Sequence, residues 1–242
     1  MAKISDTIRK LHHSFCTAVV VAAGTSERMG EDKLMLPIGG IPVLAMTLSA
    51  MQRSDAIDEI IVVSRPENVD TIRAIRAGYR VEKLSKVVFG GDTRTKSALA
   101  GVTAASKKAK IICIHDGARP FVTPEVIADA VHHAALYQAA APAVPVKDTV
   151  KRAENGVVAE TPDRETLFAA QTPQAFRAEI IKAALTKAVR DGATYTDDCA
   201  AVEALGCPVR LSRGDEDNIK ITTPADLTLA NAIYLRRKEG NA

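Results

Sequence analysis

Residues Thr17–Lys33 read TAVVVAAGTSERMGEDK. The first five, Thr17–Val21, make a short apolar run, which predicts a strand covered on both faces. Small residues follow it. Ala22, Ala23 and Gly24 let a ligand come close to the backbone, and Arg28 and Lys33 place two cations near the same loop. Backbone N–H groups, a forked guanidinium and an ammonium together suit a triphosphate. Taken alone, the segment also fits a tight strand-to-helix turn with solvated basic side chains. It lacks the GxxxxGK[ST] pattern of a P-loop, and no GxGxxG occurs in the chain. A second apolar run, Ile60–Val63, ends in VVSRP without the acidic residue that would hold an adenine ribose, which argues against a dinucleotide dehydrogenase.

Outward from that loop, short apolar runs alternate with longer helical patterns. Strands are predicted at Thr17–Val21, Ile60–Val63, Lys86–Phe89, Ile111–Ile114, Ala140–Val146 and Pro208–Leu211, the first four apolar on both faces. Helices are predicted at Val43–Gln52, Val69–Arg76, Thr95–Lys107, Pro124–Tyr137, Ala178–Val189 and Pro224–Arg237. Pro124 and Pro224 each follow a threonine, a cap followed by a first helical residue. This alternation predicts an α/β fold, a Rossmann-like doubly wound, mostly parallel sheet with helices on both faces. Ligands then belong at the carboxyl ends of the strands.

Lys147–Gln171 breaks the rhythm. TVKR and VVAE flank Ala153–Gly156, a polar turn containing Asn-Gly, so the stretch is expected to be a hairpin arm projecting from the sheet. It reads either as a surface loop or as an arm that packs on another subunit.

The chain has 242 residues, of which 47% are hydrophobic and 25% charged, with a net charge of +3. That suits one large α/β domain over residues 17–242, preceded by a short N-terminal extension over residues 1–16. The mild positive excess can attract phosphates but gives no concentrated basic face for nucleic acid. With no tryptophan and 4% aromatics, base-stacking platforms are not expected. No apolar run reaches membrane-span length, and the first sixteen residues lack a signal-peptide core. The four cysteines, Cys16, Cys113, Cys199 and Cys207, show no CxxC spacing, which points to a reducing cytoplasm.

Further motifs follow the later strands. Gly90-Gly91-Asp92-Thr93-Arg94-Thr95-Lys96-Ser97 combines two glycines for close backbone contact with a serine hydroxyl. His115-Asp116-Gly117-Ala118-Arg119-Pro120 ends the strand IICI. An aspartate there can hold a metal or a ribose hydroxyl, and Arg119 a phosphate, although the segment alone reads first as a structural Asp–Arg pair. Thr149, Arg164, Thr172, Thr196 and Lys220 are each unremarkable singly, since lone threonines are usually caps and lone lysines solvated.

As an ordered set, AAGxSxRMGxDK, GGxxRxxS, HDGARP, DT, DR, QTPQ, TDD and DNIKIT resemble the 2-C-methyl-D-erythritol 4-phosphate cytidylyltransferase family of nucleotidyltransferases, from Thr17 to about Arg237. The resemblance implies transfer of CMP from CTP to a polyol phosphate with a divalent cation such as Mg²⁺. It implies that Arg28 and Lys33 stabilise charge on the triphosphate, and that Ala22, Ala23 and Gly24 form the nucleotide loop. Gly91, Asp92 and Ser97 would read cytosine, while Asp116 would lie near the ribose and the metal, contacting the ion directly or through water. Arg119, Thr172, Thr196 and Lys220 would surround the acceptor. Thr149 and Arg164 would reach a partner's site from the 147–171 arm, so a homodimer is implied. Some members carry a second, cyclase domain, for which a chain ending at Ala242 leaves no room. A ribitol 5-phosphate cytidylyltransferase shares all but the acceptor, and a non-catalytic nucleotide-binding regulator on the same fold is the alternative of another class.

Overall fold

The computed structural model describes residues 14–24 and 32–240. Arg28 and most of the N-terminal extension lie outside the described residues. The extension stops short of residue 16, because Cys16 is already a fully buried strand residue.

Within that range the first half runs β1 (Cys16–Ala22), β2 (Pro37–Ile38), β3 (Ile41–Pro42), α1 (Val43–Arg53), β4 (Glu59–Ser64), α2 (Val69–Gly78), β5 (Leu84–Phe89), α3 (Arg94–Ala104) and β6 (Ile111–Asp116). The second half runs α4 (Pro124–Tyr137), β7 (Ala139–Pro145), β8 (Arg152–Glu154), β9 (Val157–Glu160), β10 (Phe168–Ala170), β11 (Gln174–Arg177), α5 (Ala178–Arg190), α6 (Asp198–Glu203), β12 (Arg210–Arg213) and α7 (Pro224–Glu239). Local chemistry sets several of these boundaries. The Thr123 hydroxyl accepts from Val126 N–H at the start of α4, with Pro124 in the first turn. The Asp226 carboxylate accepts from the backbone of Thr222 and Thr223 at the start of α7.

The main sheet places β1 between β4 and β6, with β5 beyond β4, and all these pairs are parallel. On the other side, β11 runs antiparallel to β6 and to β7. β10 pairs the same edge of β7 as β11, and β12 lies parallel along the opposite edge. Every long parallel strand therefore points its carboxyl end the same way. The expected doubly wound, mostly parallel sheet is what the chain forms.

Alternation along each strand sorts the core into two layers. Ala18, Val20, Ile60, Val62 and Cys113 face the layer covered by α1, α4 and α7. Val19, Val63, Ile112 and Ile114 face α3, α5 and α6. On that second face α3 crosses the sheet at Gly101, where a Cβ would stand 2.3 Å from Val19 Cγ1 and 2.7 Å from Val63 Cγ2.

Several elements differ from the sequence expectations. The run 86–89 begins two residues earlier and forms an edge strand, not one sealed on both faces, and Phe89 is 60% exposed. Its apolarity resembles that of β4, but among the described residues no strand pairs with its outer side. Strands β10 and β11 and helix α6 are additional, and β12 sits two residues later than predicted. The arm hairpin forms as expected: β8 and β9 pair around Asn155 and Gly156, both at positive φ, and all seven strand residues are exposed. All four cysteines are free, and among the described residues no helix is long and apolar enough to cross a membrane.

Gly101→Ala gains helix propensity but drives a methyl into Val19 and Val63. A net loss of about 1–3 kcal/mol of unfolding free energy is expected, read by denaturant titration.

Candidate active site

Asp116 is the last residue of β6 and 9% exposed. Three cations from three elements converge on it. Lys220 Nζ lies 2.7 Å from Oδ2, Arg119 Nε 3.7 Å from Oδ2, and Arg94 3.8 Å from Oδ1. Burial by itself would raise this carboxyl, but Lys220 first, then Arg94 and Arg119, hold it down at about 2. Arg94 also pairs at 2.7 Å with Asp198, which is 1% exposed on α6. Burial acts to lower the Arg94 guanidinium, yet the carboxylates of Asp198 and Asp116 win and raise it. Asp198 itself is raised, because its burial outweighs the pull of Arg94.

Neutral polar groups frame this charge cluster. The His115 ring is buried, and its Nε2 lies 3.2 Å from the carbonyl of Arg119. A carbonyl only accepts, so Nε2 carries the proton and Nδ1 is left to accept from the Thr172 hydroxyl at 3.0 Å. The same hydroxyl oxygen accepts from Asp116 N–H at 3.1 Å. Burial lowers the imidazole pKa to about 4, so this chain of bonds is neutral and fixed in direction.

Three amide side chains lock the surrounding loops. Gln174 accepts from Asp198 N–H and Cys199 N–H and donates to the Asp197 carboxylate, holding the Thr196-Asp197-Asp198 turn. Gln171 grips the backbone of Asp215, and Asn218 donates to the Thr172 carbonyl. Arg119 donates to the Asn218 carbonyl, and Ile221 N–H bonds Ala118. Lys220 is thereby carried on a loop tied at both ends.

The structure thus gathers Asp116, Arg119, Thr172 and Lys220 into one cluster, with Thr196 exposed on the adjoining turn. Beside it lies the expected nucleotide loop. A Cβ on Gly90 would stand 2.6 Å from Ala23 Cβ and 2.7 Å from Ser97 Oγ, so the 22–24 and 90–91 turns touch. Gly91 N–H donates to Ser97 Oγ at 3.1 Å. Asp92 turns its carboxylate to Lys96 and stays exposed. Lys33 stands in the turn after the loop. The arm residues Thr149 and Arg164 are exposed and have no bond to Asp116 or Lys220; Arg164 instead donates to the Lys147 carbonyl.

Sequence reasoning did not single out Arg94, Asp198, Gln174 or Asn218. Arg94 gave one signal: a cation in the first turn of a helix opposes the helix dipole, which makes sense only if a carboxylate elsewhere requires it. Gln174 and Asn218 stand inside the QTPQ and DNIKIT motifs, but their bracing roles were hidden because their partners are distant in sequence.

The donor set bears on a metal. Among the described residues no three His, Cys, Asp or Glu side chains come together. A lone ionised Asp116 fits Mg²⁺ in the manner of ions held by one or two carboxylates and substrate phosphates, not by an all-protein cage.

Glycine turns at the carboxyl ends of parallel strands, beside a buried carboxylate ringed by cations, define the class as an α/β enzyme that handles nucleotide phosphates. The family model described as "IspD: 2-C-methyl-D-erythritol 4-phosphate cytidylyltransferase" matches residues 16–237. The chain belongs to that family. It is 45% identical to the 2-C-methyl-D-erythritol 4-phosphate cytidylyltransferase of Caldanaerobacter subterraneus, over 91% of this chain and 99% of that one. Identity to the Geobacillus kaustophilus protein of the same name is 41%, over 91% and 97%. The solved 4-diphosphocytidyl-2C-methyl-D-erythritol synthase of Anaerococcus prevotii superposes with a TM-score of 0.83 at 33% identity, covering 93% of this chain and 99% of that one. The Thermus thermophilus cytidylyltransferase gives 0.74 at 31%, covering 89% and 97%.

Two measurements check this geometry. Arg94→Ala leaves Asp198 buried beside no cation and is expected to cost about 3 kcal/mol, with Asp198→Asn in that background recovering part of it. The His115 imidazole, followed by NMR, is expected to titrate at about 4. Its neutral burial contributes stability fully above the unfolded value of about 6.5, and this is lost as pH falls through that window toward the folded value. His115→Gln should flatten that part of the stability profile.

Proposed function

We propose that the chain transfers CMP from CTP to 2-C-methyl-D-erythritol 4-phosphate, giving 4-diphosphocytidyl-2-C-methyl-D-erythritol and pyrophosphate. Family membership over residues 16–237 carries this conclusion. The setting of Asp116 and Lys220 supplies the chemistry.

An acceptor phosphate oxygen attacks the α-phosphorus of CTP in line. A new P–O bond forms as the bond to the β-phosphate oxygen breaks, and pyrophosphate leaves. A phosphate monoester loses its second proton at a pKa of about 6, so the acceptor is already a dianion at neutral pH. No general base is needed, which agrees with a His115 that is buried and occupied at both nitrogens. The obstacle is repulsion between two anions. Lys220, Arg119 and a partner's Arg164 hold the acceptor phosphate, while Arg28 and Lys33 serve the triphosphate. Ala22, Ala23, Gly24, Gly91 and Ser97 provide the close-approach surface for the nucleotide. A divalent cation such as Mg²⁺, with Asp116 directly or through water, would neutralise charge on the phosphates. Free cysteines accord with a reducing, cytoplasmic setting.

The homodimer is part of the same proposal. Val150, Val157, Val158 and Phe168 are 37%, 70%, 56% and 46% exposed along the arm and its base, an apolar surface suited to a second copy. Thr149 and Arg164 would then act in the partner's site.

Pyrophosphate release from CTP and Mg²⁺ is expected with methylerythritol phosphate and not with ribitol 5-phosphate; the reverse would keep the chemistry and change the acceptor. Arg28→Ala and Lys220→Ala are expected to lower kcat about 10²–10³-fold, with Lys220→Ala also raising KM for the acceptor. Mixing inactive Arg164→Ala and Lys220→Ala chains should restore about a quarter of wild-type activity if arms are exchanged between subunits, since half the dimers are mixed and each has one intact site. Absence of any restoration would place Arg164 in its own chain's site.

A further inference from the structure

Asp32 immediately precedes Lys33, and nothing in the chemistry above uses it. Yet it is among the most heavily bonded side chains near the phosphate loop. Arg65 donates to its Oδ2 at 2.8 Å, and Asn68 donates to the same oxygen at 2.8 Å. Leu34 N–H donates to its Oδ1 at 3.1 Å, and Met35 N–H to its backbone carbonyl at 2.9 Å. Both partners of Oδ2 come from the tip of β4: Arg65 follows its last residue, and Asn68 ends the turn after it. The Arg65 and Asp32 side chains are 26% and 20% exposed, so the pair is partly shielded from solvent.

On the other side of Lys33, Leu34 is 3% exposed and its carbonyl accepts from Leu44 N–H at 2.9 Å. Lys33 thus sits between one neighbour fixed by side-chain bonds and another fixed by burial. Its backbone is pinned from both sides, which is how a charged group is pre-organised for a transition state. The Arg65 charge has a second effect. It compensates a carboxylate that would otherwise stand bare at the edge of a loop meant for a polyanion.

We infer that Asp32, held by Arg65 and Asn68, is a positioning residue that sets Lys33 against the nucleotide phosphates, and this rests on the proposed role of Lys33. The clamp touches no substrate. It acts on kcat through Lys33 and leaves the acceptor site alone.

The test is a double-mutant cycle on pyrophosphate release from CTP, with Asp32→Ala, Lys33→Ala and the double variant, and thermal unfolding followed in parallel. Asp32→Ala is expected to lower kcat about tenfold or more, with KM for the acceptor unchanged. In the Lys33→Ala background it should change kcat by less than about twofold, because its effect is already lost. Asp32→Asn, which keeps the bond to Leu34 but removes the charge, covers the case of an Asp32→Ala chain that does not fold and should show the same dependence on Lys33. Wild-type kcat in Asp32→Asn, or an equal loss with and without Lys33, would overturn the clamp while leaving the role of Lys33 intact. Full turnover by Lys33→Ala would instead remove that role, and the clamp with it.

Discussion

A carboxylate at 9% exposure carries a large desolvation cost unless cations reach it, and at Asp116 three do so. Each comes from a different part of the chain: Arg94 from the start of α3, Arg119 from the turn after β6, and Lys220 from the loop before α7. None of the three can be placed until the sheet has formed and α3, the 117–119 turn and the 215–221 loop have docked on its carboxyl edge. The ion cluster and the fold therefore require each other. Gly101 shows the same dependence from the core side, since α3 delivers Arg94 only by lying close on Val19 and Val63.

Around the charges, neutral groups settle direction. The His115 ring has one acceptor partner and one hydroxyl partner, which fixes its tautomer and leaves the Thr172 oxygen to receive Asp116 N–H. A protonated ring would have to break the bond from Thr172. Burial prevents that at neutral pH by holding the pKa at about 4. The amides of Gln171, Gln174 and Asn218 do for the backbone what this ring does for the hydroxyl. They satisfy loop groups that would otherwise be orphaned.

The periphery has the opposite character. The arm strands β8 and β9 are exposed along their whole length, as are Thr149 and Arg164, and Arg164 bonds the Lys147 carbonyl. The hairpin closes on itself at Asn155-Gly156, and its apolar side chains Val157 and Val158 stay exposed among the described residues. Asp32, by its bonds to Arg65 and Asn68 just beyond β4, is tied to the end of a sheet strand.

Much of this was legible in the residues. Apolar runs alternating with helical periods gave the doubly wound sheet, Thr-Pro pairs gave two helix starts, and Asn-Gly gave the hairpin, because each depends on local backbone chemistry. The ordered motifs gave Asp116, Arg119, Thr172 and Lys220 as members of one site. Other features lay outside what local pattern can reveal. Strand β11 was hidden because QAFR is short and its pairing with β6 and β7 is antiparallel and distant in sequence. The exposure of Phe89 follows from its strand lying at the sheet edge, which its apolar composition does not announce. Sequence by itself determined the fold class and the residues available for charge; only tertiary structure decided which cation meets which carboxylate, since a buried charge is compensated by whatever the packed chain brings within a few ångströms, whatever its distance along the sequence.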